Sequence, residues 1–208
     1  MLHHGLIADV ERVSSTLPNY LVVNPFGDKD DLDDFIKLVE TQAASSSFRE
    51  GTDEGGITDS DIRECGIDFI NYDYTQAGNT ELFDKVFHIT NFYNQTAFQF
   101  DITGFSFVQY TFYDKTGSHY DWHVDKFDDV RDNSQLHRKL SFAMILSDKD
   151  EYEGANFEIN AAGMNHVLDD VEKGDIIIFP SYTPHRVAPL ISGVRKSLVW
   201  WALGPKFR

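Results

Sequence analysis

The stretch that decides the reading of this chain is Tyr113-Asp114-Lys115-Thr116-Gly117-Ser118-His119-Tyr120-Asp121-Trp122-His123-Val124-Asp125. It alternates like a strand and carries a His-x-Asp pair, His123 and Asp125. In a β-strand, residues i and i+2 point to one face, so both side chains can reach a single metal ion. A second pair, His119-x-Asp121, precedes it on the same alternation, and by spacing alone either pair can serve. A divalent metal held in this way needs a third protein ligand from elsewhere in the chain.

Downstream, His185 follows the apolar strand 175–179 in the run Phe179-Pro180-Ser181-Tyr182-Thr183-Pro184-His185. Two His and one carboxylate on one face of a metal leave three positions open, the pattern of non-haem Fe(II) oxygenases. Ten residues later begins Arg195-Lys196-Ser197-Leu198-Val199-Trp200-Trp201. As a strand it puts Arg195, Ser197, Val199 and Trp201 on one face and Lys196, Leu198 and Trp200 on the other. An inward guanidinium beside a hydroxyl is a carboxylate clamp. Metal and clamp together describe a site for a 2-oxo diacid.

Around these residues the chain reads as short strands separated by turns: 105–113, 119–124, 139–146, 156–159, 167–171, 175–179, 185–187 and 195–202. The expected fold is mainly β with flanking helices: a double-stranded β-helix (jelly-roll) core with an N-terminal helical layer. We expect a single domain over 1–208, with 1–100 as supporting helices and strands and 101–204 as the jelly-roll core. In the front part, 20–24 and 67–71 read as strands. Asp28 to Asp34 open an amphipathic helix. A second helix is capped by Asn79 or Thr80, and its apolar face is Leu82, Val86, Ile89 and Tyr93, widened by Phe83 and Phe87. No catalytic constellation is visible before residue 101. Two polar connections, 49–60 and 126–138, are long enough to be lids or plain solvated loops. Trp122 can pack outside the barrel or shape the pocket mouth.

Composition excludes several classes. At 208 residues with 41% hydrophobic content the chain can bury a core without staples. A net charge of −16 argues against general affinity for nucleic acid or anionic lipid, since phosphate binding needs clustered Lys and Arg. A single cysteine, Cys65, excludes an internal disulfide and suits a reducing compartment. No run approaches the about 18 apolar residues that cross a membrane. The expectation is a soluble, cytoplasmic protein.

In the series Gln109-x3-Tyr113-x3-Gly117-x2-Tyr120-x2-His123-x-Asp125, Leu140-Ser141, Tyr152-Glu153-Gly154, Gly174-Asp175, Phe179-Pro180-Ser181, His185-x-Val187-x-Pro189, Gly193-x-Arg195-x-Ser197 and Trp201, the chain resembles a known family. It is similar to the Fe(II)- and 2-oxoglutarate-dependent dioxygenases, within them the prolyl 4-hydroxylase-like group. The spacing from Tyr113 and Tyr120 favours His123 and Asp125 over the earlier pair. The resemblance implies that His123, Asp125 and His185 bind iron and that Arg195, helped by Ser197, holds the distal carboxylate of 2-oxoglutarate. Tyr113 would line the cosubstrate pocket and Trp201 would pack close to the metal. It further implies O2 as co-reactant, ascorbate as a supporting reductant, and hydroxylation of a prolyl residue in a peptide or protein, with a free amino acid or other small metabolite as the alternative substrate. A non-catalytic jelly roll is the rival class, and the clamp argues against it. Two departures stand out. The family's aromatic hydroxyl that assists the clamp falls at Ile145, and its Gly-Gly-Glu-Leu is Gly154-Ala155-Asn156-Phe157 here.

Overall fold

The computed structural model describes residues 18–45, 48–50, 62–125 and 136–206. The chain begins with β1 (Leu21–Val23), α1 (Lys29–Ala44), β2 (Phe48–Glu50), β3 (Arg63–Glu64), β4 (Gly66–Ile70) and α2 (Asn79–Tyr93). Then come β5 (Gly104–Phe105), β6 (Val108–Tyr113), β7 (His119–His123), β8 (Leu136–Ile145), β9 (Tyr152–Gly154) and β10 (Phe157–Ala161). The last five strands are β11 (Met164–Leu168), β12 (Ile176–Pro180), β13 (His185–Val187), β14 (Leu190–Gly193) and β15 (Arg195–Pro205).

These strands build two facing sheets, as the jelly-roll reading requires. The larger runs β1-β12-β8-β15-β6-β4-β2, with β5 added to β15; the smaller runs β11-β10-β13-β7-β3. Every pairing is antiparallel. In the larger sheet the two-residue alternation separates two interiors. Val108, Tyr110, Phe142, Met144, Leu198 and Trp200 face the helices, in a cluster with Phe35, Val39, Leu82 and Val86. Tyr113, Ala143, Ile145 and Ile177 face the smaller sheet and pack with Phe157, Ile159 and Val187. The strand at the centre, β15, therefore has a helix-facing side and a cavity-facing side along its length.

The helices form for local reasons and are held by the sheet. Asp28 caps α1 by accepting from the Asp31 N–H at 2.9 Å, with Asp30 and Asp31 in the first turn at the positive end of the dipole. The second helix departs from expectation at its start. Its cap is Gly78 at φ 78°, with no side-chain bond, because Asn79 is fully buried and engaged elsewhere. Its amide donates to Gln42 Oε1 and the Asn71 carbonyl and accepts from the Asp73 N–H, tying α2 to α1. Leu82, Val86, Ile89 and Tyr93 are buried, while Phe87 lies at the surface, 47% exposed.

Other boundaries also move. The expected strand 105–113 is two strands, β5 and β6, broken at Ser106 and Phe107. The connection expected to run to Arg138 ends earlier, since Leu136, His137 and Arg138 already pair with β15 as part of β8. Residues 51–60 and 126–135, which carry the two lid expectations, lie outside the described residues. The pair β9 and β14 forms a small separate ladder that the strand reading did not include.

Trp200 joins sheet to helix. It is fully buried, stacks on Phe142 at 4.9 Å, and donates its indole N–H to Thr90 Oγ1 on α2 at 2.9 Å. Removing a buried aromatic leaves a cavity that close-packed surroundings fill poorly. Trp200→Ala should therefore cost about 3–5 kcal/mol in urea unfolding, while Phe87→Ala should stay within about 1 kcal/mol of wild type. Equal effects of the two would contradict this division of the core.

Candidate active site

A cavity opens between the sheets, and the cavity-facing side of β15 lines it with Arg195, Ser197, Val199 and Trp201. Neighbouring β6 contributes Gln109, Thr111 and Tyr113, and the smaller sheet contributes Tyr120, His123 and His185. Asp125 sits two residues past the end of β7 and is 6% exposed. His123, Asp125 and His185 each offer one ligand atom, and these atoms all lie within 4.8 Å of one another. His123 Nε2 is 3.6 Å from Asp125 Oδ1 and His185 Nε2 is 3.5 Å from Asp125 Oδ2.

The third position is delivered by register. His185 on β13 lies directly opposite His123 on β7, so two residues 62 apart in sequence become cross-strand neighbours, their rings 4.2 Å apart. Two residues on, Val187 opposes Tyr120, so three residues of β7 match two of β13. That is a bulge, and it changes which side chains share a face. Tyr120 joins His123 on the cavity wall, their rings stacked at 3.5 Å. His119 and Asp121 are turned away, Asp121 being exposed, and neither belongs to the ligand cluster. Simple alternation had placed both His-x-Asp pairs on one face; the extra residue separates them. Trp122 lies outside the cavity lining, with the Arg186 guanidinium 5.2 Å from its ring.

The two imidazoles are set up alike. His123 Nδ1 bonds to the Asp121 carbonyl at 2.7 Å and His185 Nδ1 to the Thr183 carbonyl at 3.0 Å. A carbonyl only accepts, so each Nδ1 carries a proton and each Nε2 is the ring nitrogen turned toward Asp125. Burial and the neighbouring His185 push the His123 pKa down to about 4, against the opposing pull of Asp125. Burial pushes the Asp125 carboxyl up, but His185, His123 and Arg138 outweigh it and hold the group below the ordinary carboxylate range. A neutral His123 imidazole beside an ionised Asp125 carboxylate suits a divalent cation. Phe157 and Phe179 flank His185, with ring centroids 5.5 and 4.5 Å away, and keep that side dry.

Away from the ligand cluster, Arg195 is 2% exposed and its Nη1 donates to Ser197 Oγ at 3.3 Å. Tyr113 lies opposite Arg195 on β6, and the guanidinium is 5.5 Å from its ring. Burial holds the Tyr113 hydroxyl well above its ordinary pKa, so it stays a neutral donor. Trp201 closes the metal end, with the Arg138 guanidinium 3.8 Å above its ring. Its buried indole N–H lies toward the Asp125 carboxylate and helps to hold it ionised.

The front part of the chain also reaches the site. Arg63 and Phe69 line the cavity, and the Arg63 guanidinium lies 5.1 Å over the ring of Tyr120, which stacks on His123. Cys65 is buried against Tyr113. Nothing in the sequence before residue 101 signals these roles, because they depend on β3 and β4 pairing with β7 and β6.

A jelly roll with a buried two-histidine, one-carboxylate cluster beside an arginine in one cavity defines the class of non-haem iron oxygenase folds. Residues 107–203 match the model of the 2OG-Fe(II) oxygenase superfamily, so this part of the chain, just under half of it, is similar to that superfamily. The family implies Fe(II), 2-oxoglutarate and O2. A PKHD-type hydroxylase of Synechococcus sp. (strain CC9605) is 38% identical over 85 residues, 41% of this chain and 36% of that protein. One from Teredinibacter turnerae is 37% identical over 88 residues, 41% and 38% of the respective chains. The chain thus spans little more than a third of the length of these curated relatives. Among solved structures, a Pseudomonas putida prolyl-4-hydroxylase superposes with a TM-score of 0.66 at 20% identity, covering 90% of this chain and 94% of that one. A Trichoplax adhaerens prolyl hydroxylase, in complex with a hypoxia-inducible-factor peptide fragment, gives 0.67 at 18% identity, covering 88% and 83%. At such identities the likeness establishes the fold.

Burial pushes the Cys65 thiol up to about 12, against the lowering influence of Arg63, Tyr113 and Arg195. Since the thiolate is the nucleophile, Cys65 in the folded protein should react with 5,5′-dithiobis(2-nitrobenzoate) at pH 8 at least about 100-fold more slowly than in 6 M guanidinium. Rapid labelling of the folded chain would show that Cys65 is open to solvent.

Proposed function

We propose that the chain is an Fe(II)- and 2-oxoglutarate-dependent oxygenase, one domain over 1–208, that hydroxylates a prolyl residue of a peptide or protein. The observation that carries this reading is the juxtaposition, in one cavity, of three metal-ligand side chains with a buried Arg195–Ser197 pair. The donor set fits Fe(II): two imidazole nitrogens with fixed tautomers and one ionised carboxylate, with room on the cavity side for further ligands. The substrate choice is supported by the PKHD-type hydroxylases among the relatives and by the prolyl hydroxylases that share the fold.

In this reading His123, Asp125 and His185 hold the metal through Nε2, a carboxylate oxygen and Nε2. Iron with 2-oxoglutarate and O2 supplies oxidative decarboxylation to succinate and CO2, with the second oxygen atom entering the substrate C–H bond as hydroxyl. The protein's own share is positional. Arg195 and Ser197 bind the distal carboxylate and set the cosubstrate's depth along β15. Tyr113 offers a neutral hydroxyl beside it. Tyr120, Phe157 and Phe179 pack against the two imidazoles, fixing their planes and excluding water.

The deciding assay is succinate release from 2-oxoglutarate with Fe(II), ascorbate and a library of proline-containing peptides, with free proline and other amino acids as a separate arm. Wild type should release succinate and add the mass of one oxygen to a peptide. His185→Ala should lower turnover at least about 100-fold, and Arg195→Ala should raise the 2-oxoglutarate KM more than about tenfold. Absence of any 2-oxoglutarate turnover in wild type would overturn the reading; oxygen added only to a free amino acid would replace the peptide by a small molecule.

A further inference from the structure

Ser197 has two register partners, one on each side of the central strand, and they differ in chemistry. On β8 the partner is Ile145; on β6 it is Thr111. Ile145 is 1% exposed and packs with the apolar residues between the sheets. Thr111 is 2% exposed and lines the same cavity as Arg195 and Ser197. The row across the sheet therefore reads apolar, hydroxyl, hydroxyl, with the buried guanidinium two residues further along β15.

The hydroxyls in this row are already polarised by their neighbours. Gln109 Nε2 donates to Thr111 Oγ1 at 2.9 Å, and Arg195 Nη1 donates to Ser197 Oγ at 3.3 Å. Each oxygen has thus received a donor and retains its own proton to give. Neither proton has an acceptor among the described residues. Two buried hydroxyl donors aimed into a cavity beside an arginine favour an anion with several acceptor positions, because a buried donor left unpaired is costly. A carboxylate, with two oxygens and about four lone-pair directions, satisfies Arg195, Ser197 and Thr111 together.

We propose that Thr111 is a cosubstrate-binding residue: its hydroxyl donates to the distal carboxylate of the 2-oxo diacid alongside Arg195 and Ser197, with Gln109 as the positioning residue that sets its polarity. The inference rests on the oxygenase reading above and names a residue that reading does not need. It also accounts for Ile145. The hydroxyl missing on the β8 side of Ser197 is supplied from the β6 side of the same row, so the clamp keeps its donors while its geometry is mirrored across β15.

The test is calorimetric titration of the Mn(II)-loaded full chain, without O2, using two probes. One is 2-oxoglutarate; the other is 2-oxopentanoate, the same carbon chain without the distal carboxylate. Thr111→Val should weaken 2-oxoglutarate binding about tenfold or more, the scale of a lost hydrogen bond to a charged group. It should leave 2-oxopentanoate unchanged within about twofold, and Thr111→Ser should stay within about threefold of wild type for both. Gln109→Leu, which removes the donor without touching the hydroxyl, should weaken 2-oxoglutarate by a smaller factor. Should Thr111→Val not fold, Thr111→Ser and Gln109→Leu carry the comparison through the same two-probe ratio. Unchanged 2-oxoglutarate affinity in Thr111→Val or, where that variant does not fold, in Gln109→Leu, with wild type binding normally, overturns the assignment and spares the oxygenase reading. Equal weakening of both probes overturns it too, since that marks a packing role. Wild type that binds neither probe defeats the oxygenase reading and this inference with it.

Discussion

The site depends on one cross-strand register, His185 opposite His123 in the ladder between β13 and β7. Antiparallel pairing places facing side chains about 4.5–5.5 Å apart at Cβ, which is the span a small ion bridges. Nothing else brings the distant His185 to the pair in the opening stretch. The register is pinned from both sides. β13 is held by β10, where Glu158 opposes Arg186, whose Nε and Nη2 donate to the two Glu158 carboxylate oxygens at 3.0 Å each. β7 is held by β3, with Arg63 opposite Tyr120. A slip of one residue in β13 would exchange His185 for the outward Arg186 and leave Asp125 with a single imidazole.

The larger sheet supplies the other half of the site through the alternation of β15. One face carries Leu198 and Trp200 into the helix-side core, and the other carries Arg195, Ser197, Val199 and Trp201 into the cavity. This joins stability to chemistry in one element. The same packing that buries Trp200 against Phe142 holds the guanidinium of Arg195 at its depth five residues away. Lys196, on the helix-facing side, reaches Glu40 on α1 at 2.8 Å. Both partners are about a third or more exposed, so the pair adds little stability, and it marks the orientation of the strand's edge relative to α1.

Much of this was legible in the sequence because it obeys simple periods. The alternation of 195–201 separates cavity from core, the i, i+4, i+7, i+11 pattern of α2 names its buried residues, and the apolar run of β12 shows a strand covered on both faces. What escaped were features set by partners distant in sequence. Arg63 and Phe69 reach the cavity, and Cys65 packs against Tyr113, only because β3 and β4 join the sheets at β7 and β6. Asn79 looks like a cap from its position, but a buried amide network with Gln42 uses it, leaving the helix start to Gly78. Thr111 reads as an ordinary strand threonine until its row is known.

The bulge in β7 has a further consequence, which is one of parity. Along an unbroken strand all odd-numbered residues from His119 to Asp125 would share a face; the inserted residue shifts the count by one, so Tyr120 sits with His123 and His119 faces away. The stretch thus holds two copies of the same two-letter word in different frames, and only the second is in frame with the cavity. Which His-x-Asp pair reaches the cavity is encoded by where the ladder miscounts, a property of the backbone between Tyr120 and His123 that the four candidate side chains themselves do not carry.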